Sequence, residues 1–471
     1  GITYAKGASV LKQLVYYVGR EKFFQGINQY LNKYAYSNAT LADLLHELEK
    51  ASGRDLKAWS AKWLEESGIN TIATEVEENA DGTIASLTLN QTAPAEHPVL
   101  RPHRLAVGFY DEDPATGKIV RTDRFELDVD GKSTVVAAAA GKKRPAFILV
   151  NDDDLTYTKL RFDADSLSFA LANLQHFDDA LARAVVWLSL WDMTRDGDLA
   201  AEKFIDTTLA LLATETESTT FRYALSCMST TAWHYTAPDR RADVVKHVAK
   251  ELWKLVIAAP GGSDQQFQLV TAYLGYGEEG DAEFAEHAQG LFDGSLIVVG
   301  LEIDNNFTWT IINALSSVKL IDQAGIDAQL AKRDTTENRE FALGAHAVRG
   351  DAAAKEWAWN EALNNADLTN MQLEAVARGF GATPRPDLAE PYAAKYYDVV
   401  DWVWKNKSFH MAEALLEGLY PYYADPATLV ELGHRWLADH EDADNALKRI
   451  VRGNVESSQR TLKVRDFNAA L

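Results

Sequence analysis

The spacing of apolar residues changes twice along this chain, and that change constrains the fold more than any other feature. Over residues 1–70 apolar side chains recur every three or four positions, which is helical spacing. Over residues 71–162 they alternate, which is strand spacing, and over residues 163–471 helical spacing returns. The pattern predicts a multidomain chain with a helical part first, then a small antiparallel β-sandwich, then a large all-α solenoid-like domain.

Local signals place the first helices. Gly19 follows the apolar run that ends at Val18 and is a plausible helix stop. Thr40 and Asp43 have the spacing of a capping box, in which each side chain satisfies a backbone amide at a helix start. Asp55 has the character of an N-cap for a further helix. Residues 1–70 are therefore predicted to form several short helices.

The middle of the chain reads as short strands separated by turns. Asp81-Gly82 is a strong signal for a two-residue hairpin turn, because glycine adopts positive φ without strain. Turn residues at short intervals favour a small antiparallel sandwich. The individual strands are predicted at Leu105–Tyr110, Lys118–Val120, Phe125–Leu127 and Phe147–Val150.

The remaining three hundred or so residues read as helices joined by short polar breaks. No clean fixed period emerges, so a strict repeat family is not indicated. A run of amphipathic helices without long linkers favours an α-solenoid with a concave face. Its clearest helices are predicted at Ala180–Met193, Ala200–Ala213, Arg241–Ile257 and Met411–Leu419.

Composition narrows the possible partners and location. The 471 residues carry a formal net charge of -22, which disfavours nucleic acid and anionic membranes. No apolar stretch is long enough for a transmembrane helix. The single cysteine, Cys227, fits a reducing compartment, and we expect a cytoplasmic protein. The first residue is Gly1, and a helix begins almost at once, which suggests a piece of a longer protein.

Two patterns resemble catalytic or cofactor motifs but lack the necessary partners. His46-Glu47-Leu48-Glu49-Lys50 would need a second histidine in place of Lys50 to bind zinc from one helix face. Glu47 and Lys50 are instead spaced for an ion pair on a helix. The segment 275–280 has the GxGxxG pattern, but its two glutamates would repel a pyrophosphate, and it reads as a loop between helices.

Other clusters of candidate metal ligands are also incomplete. Asp152-Asp153-Asp154 has no surrounding loop of alternating oxygen ligands, and reads as a solvated turn after a strand. His434 and His440 lie six residues apart, which places them on different helix faces. Spacing alone therefore yields no complete active site, and we expect no metal to be bound by this chain.

Three segments carry a resemblance to a known family. The most telling is Tyr4-Ala5-Lys6-Gly7-Ala8-Ser9-Val10-Leu11, which resembles a helix downstream of the zinc site in aminopeptidase N-type zinc metallopeptidases, which are gluzincins. Residues 59–68 resemble the segment that closes their catalytic domain. Residues 191–196 resemble the actinobacterial branch. The family often continues with a β-sandwich and a large helical domain, in the order predicted here.

The resemblance implies a function and one catalytic residue. It identifies the chain as the C-terminal portion of a zinc aminopeptidase acting on peptides, with the zinc-binding segment on the missing N-terminal catalytic part. Tyr4 is then the donor that supports the developing oxyanion, because a phenol remains protonated at neutral pH. Many relatives have glutamate where this chain has Ala5. This chain alone is expected to be inactive.

Two other interpretations stay open at this point. A sandwich joined to a solenoid also suits a non-enzymatic peptide- or protein-binding module, which would have no need for the segment around Tyr4. The chain could also be a proteolytic or cloning product. Side-chain preference, oligomeric state and the substrate-contacting residues of the helical domain do not follow from the sequence.

Overall fold

The computed structural model describes residues 2–471, apart from the side chains of Ile2, Thr3 and Ala5. The chain divides into two compact units, Gly1–Met193 and Thr194–Leu471. Seven strands lie in the first unit: β1 Thr71–Glu78, β2 Ile84–Thr92, β3 His103–Glu112, β4 Ile119–Val129, β5 Ser133–Val135, β6 Phe147–Val150 and β7 Lys159–Arg161.

Helices precede and follow these strands. They are α1 Ile2–Val18, α2 Arg20–Lys33, α3 Leu41–Ser52, α4 Leu56–Ser60, α5 Ala164–Asn173, α6 Ala180–Asp196, α7 Ala201–Leu212, α8 Ser218–Thr230, α9 Arg241–Ala258, α10 Asp264–Tyr273, α11 Ala282–Asp293, α12 Asn305–Ser317, α13 Gln323–Lys332, α14 Thr336–Ala347, α15 Ala352–Asn364, α16 Asn370–Gly381, α17 Pro386–Ala389, α18 Ala393–Asn406, α19 Phe409–Gly418, α20 Pro426–Asp439 and α21 Asn445–Ala469. The predicted fold class is confirmed. The exact limits of the three predicted domains stay a prediction.

The local signals at the start of the chain are confirmed. Gly19 separates α1 from α2 with φ of 87°. Thr40 and Asp43 form a complete capping box at the start of α3. The Asp55 side chain accepts a hydrogen bond from the Ala58 amide and caps α4. These short helices follow from local hydrogen bonding as well as from apolar spacing.

The strands form a four-stranded sheet, in the order β5-β2-β1-β7, and a three-stranded sheet, in the order β4-β3-β6. The hairpin predicted at Asp81-Gly82 joins β1 to β2. Neighbouring strands are antiparallel, except that β7 pairs with β1 in parallel. A hydrogen bond of 3.0 Å joins His103 on β3 to Gln91 on β2 and links the two sheets.

One strand prediction was wrong. Residues 119–120 and 125–127 belong to a single strand, β4, which runs over 11 residues with one register shift in its pairing, opposite Phe109 and Tyr110. The polar residues Arg121 to Arg124 suggested a turn. Because β4 lies at the edge of its sheet, these side chains can reach solvent and form ion pairs while the backbone stays extended.

Most helices of the second unit pack on neighbours one to three places along the chain, as in a solenoid, and α21 also packs on residues 231–235. The closest packing joins α14, α16 and α19 through glycines. A Cβ atom on Gly379 of α16 would lie 2.6 Å from the carbonyl oxygen of Gly344 on α14. On α19, a Cβ atom on Gly418 would lie 2.8 Å from that of Ala377. These helices therefore approach backbone to backbone.

Candidate functional site

Tyr4 lies in the first turns of α1, and its side chain is 87% exposed. Leu11, seven residues later on the same helix face, is also exposed. Val10, Leu14 and Val18 of the same helix are buried and form a core with α3 and α4. Tyr4 is thus presented on the outer face of a helix whose inner face is fixed by packing.

Polar contacts also anchor α1 to the β-rich part of its unit. The buried Gln13 side chain accepts hydrogen bonds from the Thr156 hydroxyl at 3.0 Å and from the Tyr157 amide at 2.9 Å. Lys12 donates to the backbone oxygen of Asp153 at 3.2 Å. These contacts fix both the rotation and the axial position of α1. They therefore define where its exposed face, with Tyr4, is presented.

Large apolar side chains are exposed on the helices that surround Tyr4 in the chain. Besides Tyr4 and Leu11, the exposed set includes Phe24 and Leu31 on α2 and Leu41 at the start of α3. Single exposed apolar residues are ordinary, but several on neighbouring helices are typical of a surface that contacts another protein part. We call these five residues the apolar helix surface.

The described side chains do not provide a zinc site. Within residues 2–471, no group of three or more His, Cys, Asp or Glu is placed to hold a metal ion. The predicted ion pair of Glu47 and Lys50 is confirmed at 3.5 Å. Lys33 also contacts Glu47, at 2.7 Å, and its hydrogen bond lowers the pKa of that carboxyl. Glu47 therefore serves to hold α2 and α3 together.

The histidines considered as metal ligands have other partners. His434 contacts Gln459, and His440 lies 2.9 Å from Asp401. They are not brought together.

The interpretation of Asp152 as part of a solvated turn was wrong. Asp152 follows β6 but is buried, where it accepts a hydrogen bond from the Tyr110 hydroxyl at 2.6 Å and pairs with Arg121 at 2.8 Å. Its neighbour Asp153 pairs with Arg121 and Arg124. The partners come from β3 and β4, far away in the sequence, and they make this turn a structural ion-pair cluster.

The helical unit contains cavities that the sequence did not reveal. One of about 250 Å³ lies among α12, α14 and α16, and one of about 380 Å³ lies between α16 and α19. The second is acidic: Glu374 lies 3.1 Å from His410, and burial next to Glu413 raises the pKa of Glu417. Their lining residues come from helices that are separate in sequence, so no local motif marks them.

The segment 275–280 is confirmed as a connection between helices. Residues 274–276 form a short 3-10 turn after α10, and α11 begins at Ala282. No strand precedes it, as a dinucleotide site would require. No helix within residues 2–471 is long and apolar enough to cross a membrane.

Comparison with known proteins covers the whole chain. The family model described as the ERAP1-like C-terminal domain matches residues 147–460, and the peptidase family M1 domain matches residues 1–63. Aminopeptidase N of Streptomyces lividans is 38% identical over 100% of this chain and 55% of its own length. Mitochondrial aminopeptidase 2 of Saccharomyces cerevisiae is 31% identical over 36% of this chain and 17% of its own.

A further match is shorter. The probable aminopeptidase 1 of Sulfurisphaera tokodaii is 41% identical over 16% of this chain and 10% of its own length. The chain thus spans about half the length of the bacterial relative and less of the others.

Proposed function

Because this chain belongs to the M1 aminopeptidase family, as its C-terminal portion, we propose that it works as part of a zinc-dependent enzyme that removes N-terminal residues from peptides. The observation that carries the proposal is similarity along the entire chain to a protein named aminopeptidase N. The M1 match over residues 1–63 adds the segment that contains Tyr4. A pure binding module has no need for that segment.

We assign zinc to a part of the enzyme outside this chain. The family is zinc-dependent, but no described group of side chains here can hold the ion. The contribution of this chain to the chemistry is therefore limited to residues that do not bind the metal but contact the reacting groups of the substrate. Tyr4 is the residue we assign to that role.

Tyr4 is proposed as a hydrogen-bond donor to the substrate carbonyl oxygen as negative charge builds on it. Such a donor must be rigidly placed and free to reach a reacting group. The anchoring of α1 through Gln13 supplies the rigidity, and the exposure of Tyr4 leaves its hydroxyl accessible. A phenol suits the task because it is neutral and protonated at neutral pH.

The apolar helix surface is proposed to contact the remainder of the catalytic domain. Covering Leu11, Phe24 and Leu31 would remove apolar area from water and stabilise the assembly. The same contact would bring Tyr4 next to the zinc-bearing part, since it belongs to that surface. The helical unit is proposed to contact peptide substrates, and the protein to work in the cytoplasm without a nucleic-acid or membrane partner.

The function is tested by the turnover of an aminoacyl-anilide. We expect the enzyme that includes the zinc-bearing part to cleave it and to lose activity with a chelator. This chain alone should show no turnover, and elemental analysis after dialysis should find far less than one zinc per chain. An enzyme that is inactive when loaded with zinc would favour the binding module. Turnover by this chain alone, or one tightly held zinc, would refute our assignment of the metal.

A further inference from the structure

A cavity of about 470 Å³ opens between α8 and the α10 region of the second unit. Its volume is within the range of about 300–1,000 Å³ that is typical of small-molecule sites. Leu225 of α8 and Phe267 and Ala272 of α10 supply apolar surface. None of the residues that line this cavity is assigned a role in the reaction proposed above.

A buried polar atom at this cavity lacks a partner. Tyr276 lines the cavity and is only 2% exposed, with its ring stacked near Trp233. Its hydroxyl lies beside Ser229 but makes no hydrogen bond of ordinary geometry to any described residue. Burial raises the pKa of Tyr276, so the hydroxyl remains a neutral donor. An unpaired buried hydroxyl costs about 1–3 kcal/mol, which a ligand could offset.

An unpaired acceptor lines the same cavity. The Gln268 side-chain oxygen is buried without a hydrogen-bond partner among the described residues, whereas its amide nitrogen donates to Asp264. The cavity therefore offers an unpaired donor and an unpaired acceptor, in a lining that combines apolar side chains with the hydroxyl side chains of Ser226, Ser229, Thr230 and Thr271. Such a combination is typical of sites that orient a ligand as well as enclose it.

An arginine at the mouth of the cavity has no counter-ion. Arg222 lines the cavity and is exposed, and within residues 2–471 it forms no ion pair or hydrogen bond through its side chain. Other exposed arginines, such as Arg452, also form no ion pair with a described residue, but Arg222 is the arginine that lines this cavity. A guanidinium group binds a carboxylate through two parallel hydrogen bonds.

We propose that this cavity binds a carboxylate carried on an aromatic or branched aliphatic group. The apolar body packs against Phe267 and Leu225, and the carboxylate pairs with Arg222 at the mouth. Where the acid carries an acylamino group, as the C-terminal residue of a peptide does, the Tyr276 hydroxyl donates to the carbonyl oxygen of that group. Free apolar acids and the C-terminal residue of a peptide share this chemistry, and the experiment separates the two sources.

The test is a calorimetric titration of the whole 471-residue chain with three compounds. N-acetyl-phenylalanine and 3-phenylpropionate carry the carboxylate, and N-acetyl-phenylalanine amide does not. We expect saturable binding of at least one carboxylate and at least about tenfold weaker binding of the amide, because a charge-assisted hydrogen bond is lost. If N-acetyl-phenylalanine binds more tightly than 3-phenylpropionate, the natural ligand is the C-terminal residue of a peptide. If it binds equally or more weakly, the natural ligand is a free apolar acid.

Two variants separate the roles of charge and cavity. Arg222→Gln should weaken carboxylate binding at least about tenfold and leave amide binding unchanged. Arg452→Gln is the matched control, since Arg452 is exposed on α21 and does not line this cavity. If Arg222→Gln has no effect, the carboxylate assignment is wrong.

Gly275→Leu should abolish the binding of all three compounds. Gly275 lines the cavity, and a Cβ atom added there meets no other atom within 4 Å, so the side chain can enter the cavity without a backbone clash. The melting temperature should stay at the wild-type value. Absence of saturable binding to wild type, or binding that survives Gly275→Leu, would overturn the proposal. Because every readout is binding, the outcome does not depend on peptidase activity.

Discussion

Gln13 on α1 accepts a hydrogen bond from the Thr156 hydroxyl at 3.0 Å, although 143 residues separate them in the chain. The same carbonyl oxygen accepts from the Tyr157 amide. One side chain therefore holds the first helix against the segment that follows β6. Since α1 also carries Tyr4, the placement of the proposed catalytic group depends on a contact with a segment that is distant in the sequence.

Replacing Gln13 with alanine should destabilise the first unit by about 1–3 kcal/mol, because two buried donors lose their acceptor. Hydrogen exchange should rise in α1 before it rises elsewhere in the unit. Lys12→Ala is the matched control on the same helix. Its ion pair with Asp154 is exposed and its hydrogen bond to the Asp153 oxygen is only partly buried, so the loss of both should cost less than about 1 kcal/mol. Equal effects of the two changes would contradict the anchoring role of Gln13.

Local signals predicted local structure well. The capping box of Thr40 and Asp43 and the Asp81-Gly82 turn each depend on a few neighbouring residues, and the structure has both. The prediction failed for β4 and for Asp152, where partners distant in sequence decide the conformation. Polar residues can occur within β4 because it is an edge strand. The Asp152 carboxylate can be buried because Arg121 pairs with it and the Tyr110 hydroxyl donates a hydrogen bond to it.

Lys355 in the helical unit is another residue whose environment depends on partners that are distant in the sequence. In the sequence it looks like a surface lysine of an alanine-rich helix, yet it is buried. Its ammonium group donates to the carbonyl oxygens of Ala347, Gly379 and Phe380 near the ends of α14 and α16. Only the packing of three helices creates that environment, so no pattern within α15 could have indicated it.

The two candidate sites also differ in how far contiguous residues could predict them. The proposed role of Tyr4 came from a resemblance between contiguous residues, since spacing alone does not distinguish it from a packing tyrosine. The cavity next to Tyr276 is lined by residues of α8 and α10 that are some 50 positions apart in the sequence, so no local motif indicates it. The spacing of the candidate ligands gives no reason to expect a compact metal site, and the absence of bound metal stays a prediction.

Gly379→Ala should destabilise the second unit by about 1–3 kcal/mol, because overpacking forces neighbouring helices apart. The added Cβ would lie 2.6 Å from the Gly344 oxygen and 2.8 Å from the Ala347 methyl. Chemical denaturation monitored by circular dichroism measures the change. Gly453→Ala on α21 is the control, since its Cβ meets nothing within 4 Å. That change should stabilise by about 0.5–1 kcal/mol through helix propensity. A neutral Gly379→Ala would refute the close helix approach.

His234 should make the second unit sensitive to acid. Burial, together with the positive charges of Arg465 and Arg241, lowers the pKa of His234 to about 3, from 6.5. Below pH 6.5 His234 binds a proton in the unfolded chain, whereas in the folded chain it binds one only near pH 3. The free energy of unfolding therefore falls as the pH decreases from 6.5 to 3. Wild type should lose about 3 kcal/mol more than His234→Phe between pH 6.5 and pH 4.

The phenylalanine keeps a ring against Tyr423, on which His234 stacks at 4.7 Å, so packing is largely preserved. Denaturant titrations at several pH values give the free energies of unfolding. His46→Phe provides the comparison, since His46 is exposed and its loss should leave the pH dependence of the second unit unchanged. Parallel curves for wild type and His234→Phe would show that His234 takes up its proton equally in the folded and unfolded states and would contradict the lowered pKa.

Tyr4→Phe in the enzyme that includes the zinc-bearing part should lower kcat by about 10²–10³, or roughly 3–4 kcal/mol of transition-state stabilisation. The change removes one hydroxyl and keeps the ring. KM should change little, because the hydrogen bond from Tyr4 is stronger to the oxyanion of the transition state than to the carbonyl oxygen of the bound substrate. Zinc content and melting temperature should match wild type, since the exposed hydroxyl contributes neither a ligand nor packing.

Tyr36→Phe is the matched control, because Tyr36 is also fully exposed in the first unit and lies outside the segment that carries the resemblance. It should retain wild-type kcat. If Tyr4 served only to pack against the remainder of the catalytic domain, Tyr4→Phe would preserve that contact and leave kcat nearly normal. A kcat within about threefold of wild type, less than about 0.7 kcal/mol, would therefore reject the catalytic assignment while leaving the family and the apolar helix surface untouched.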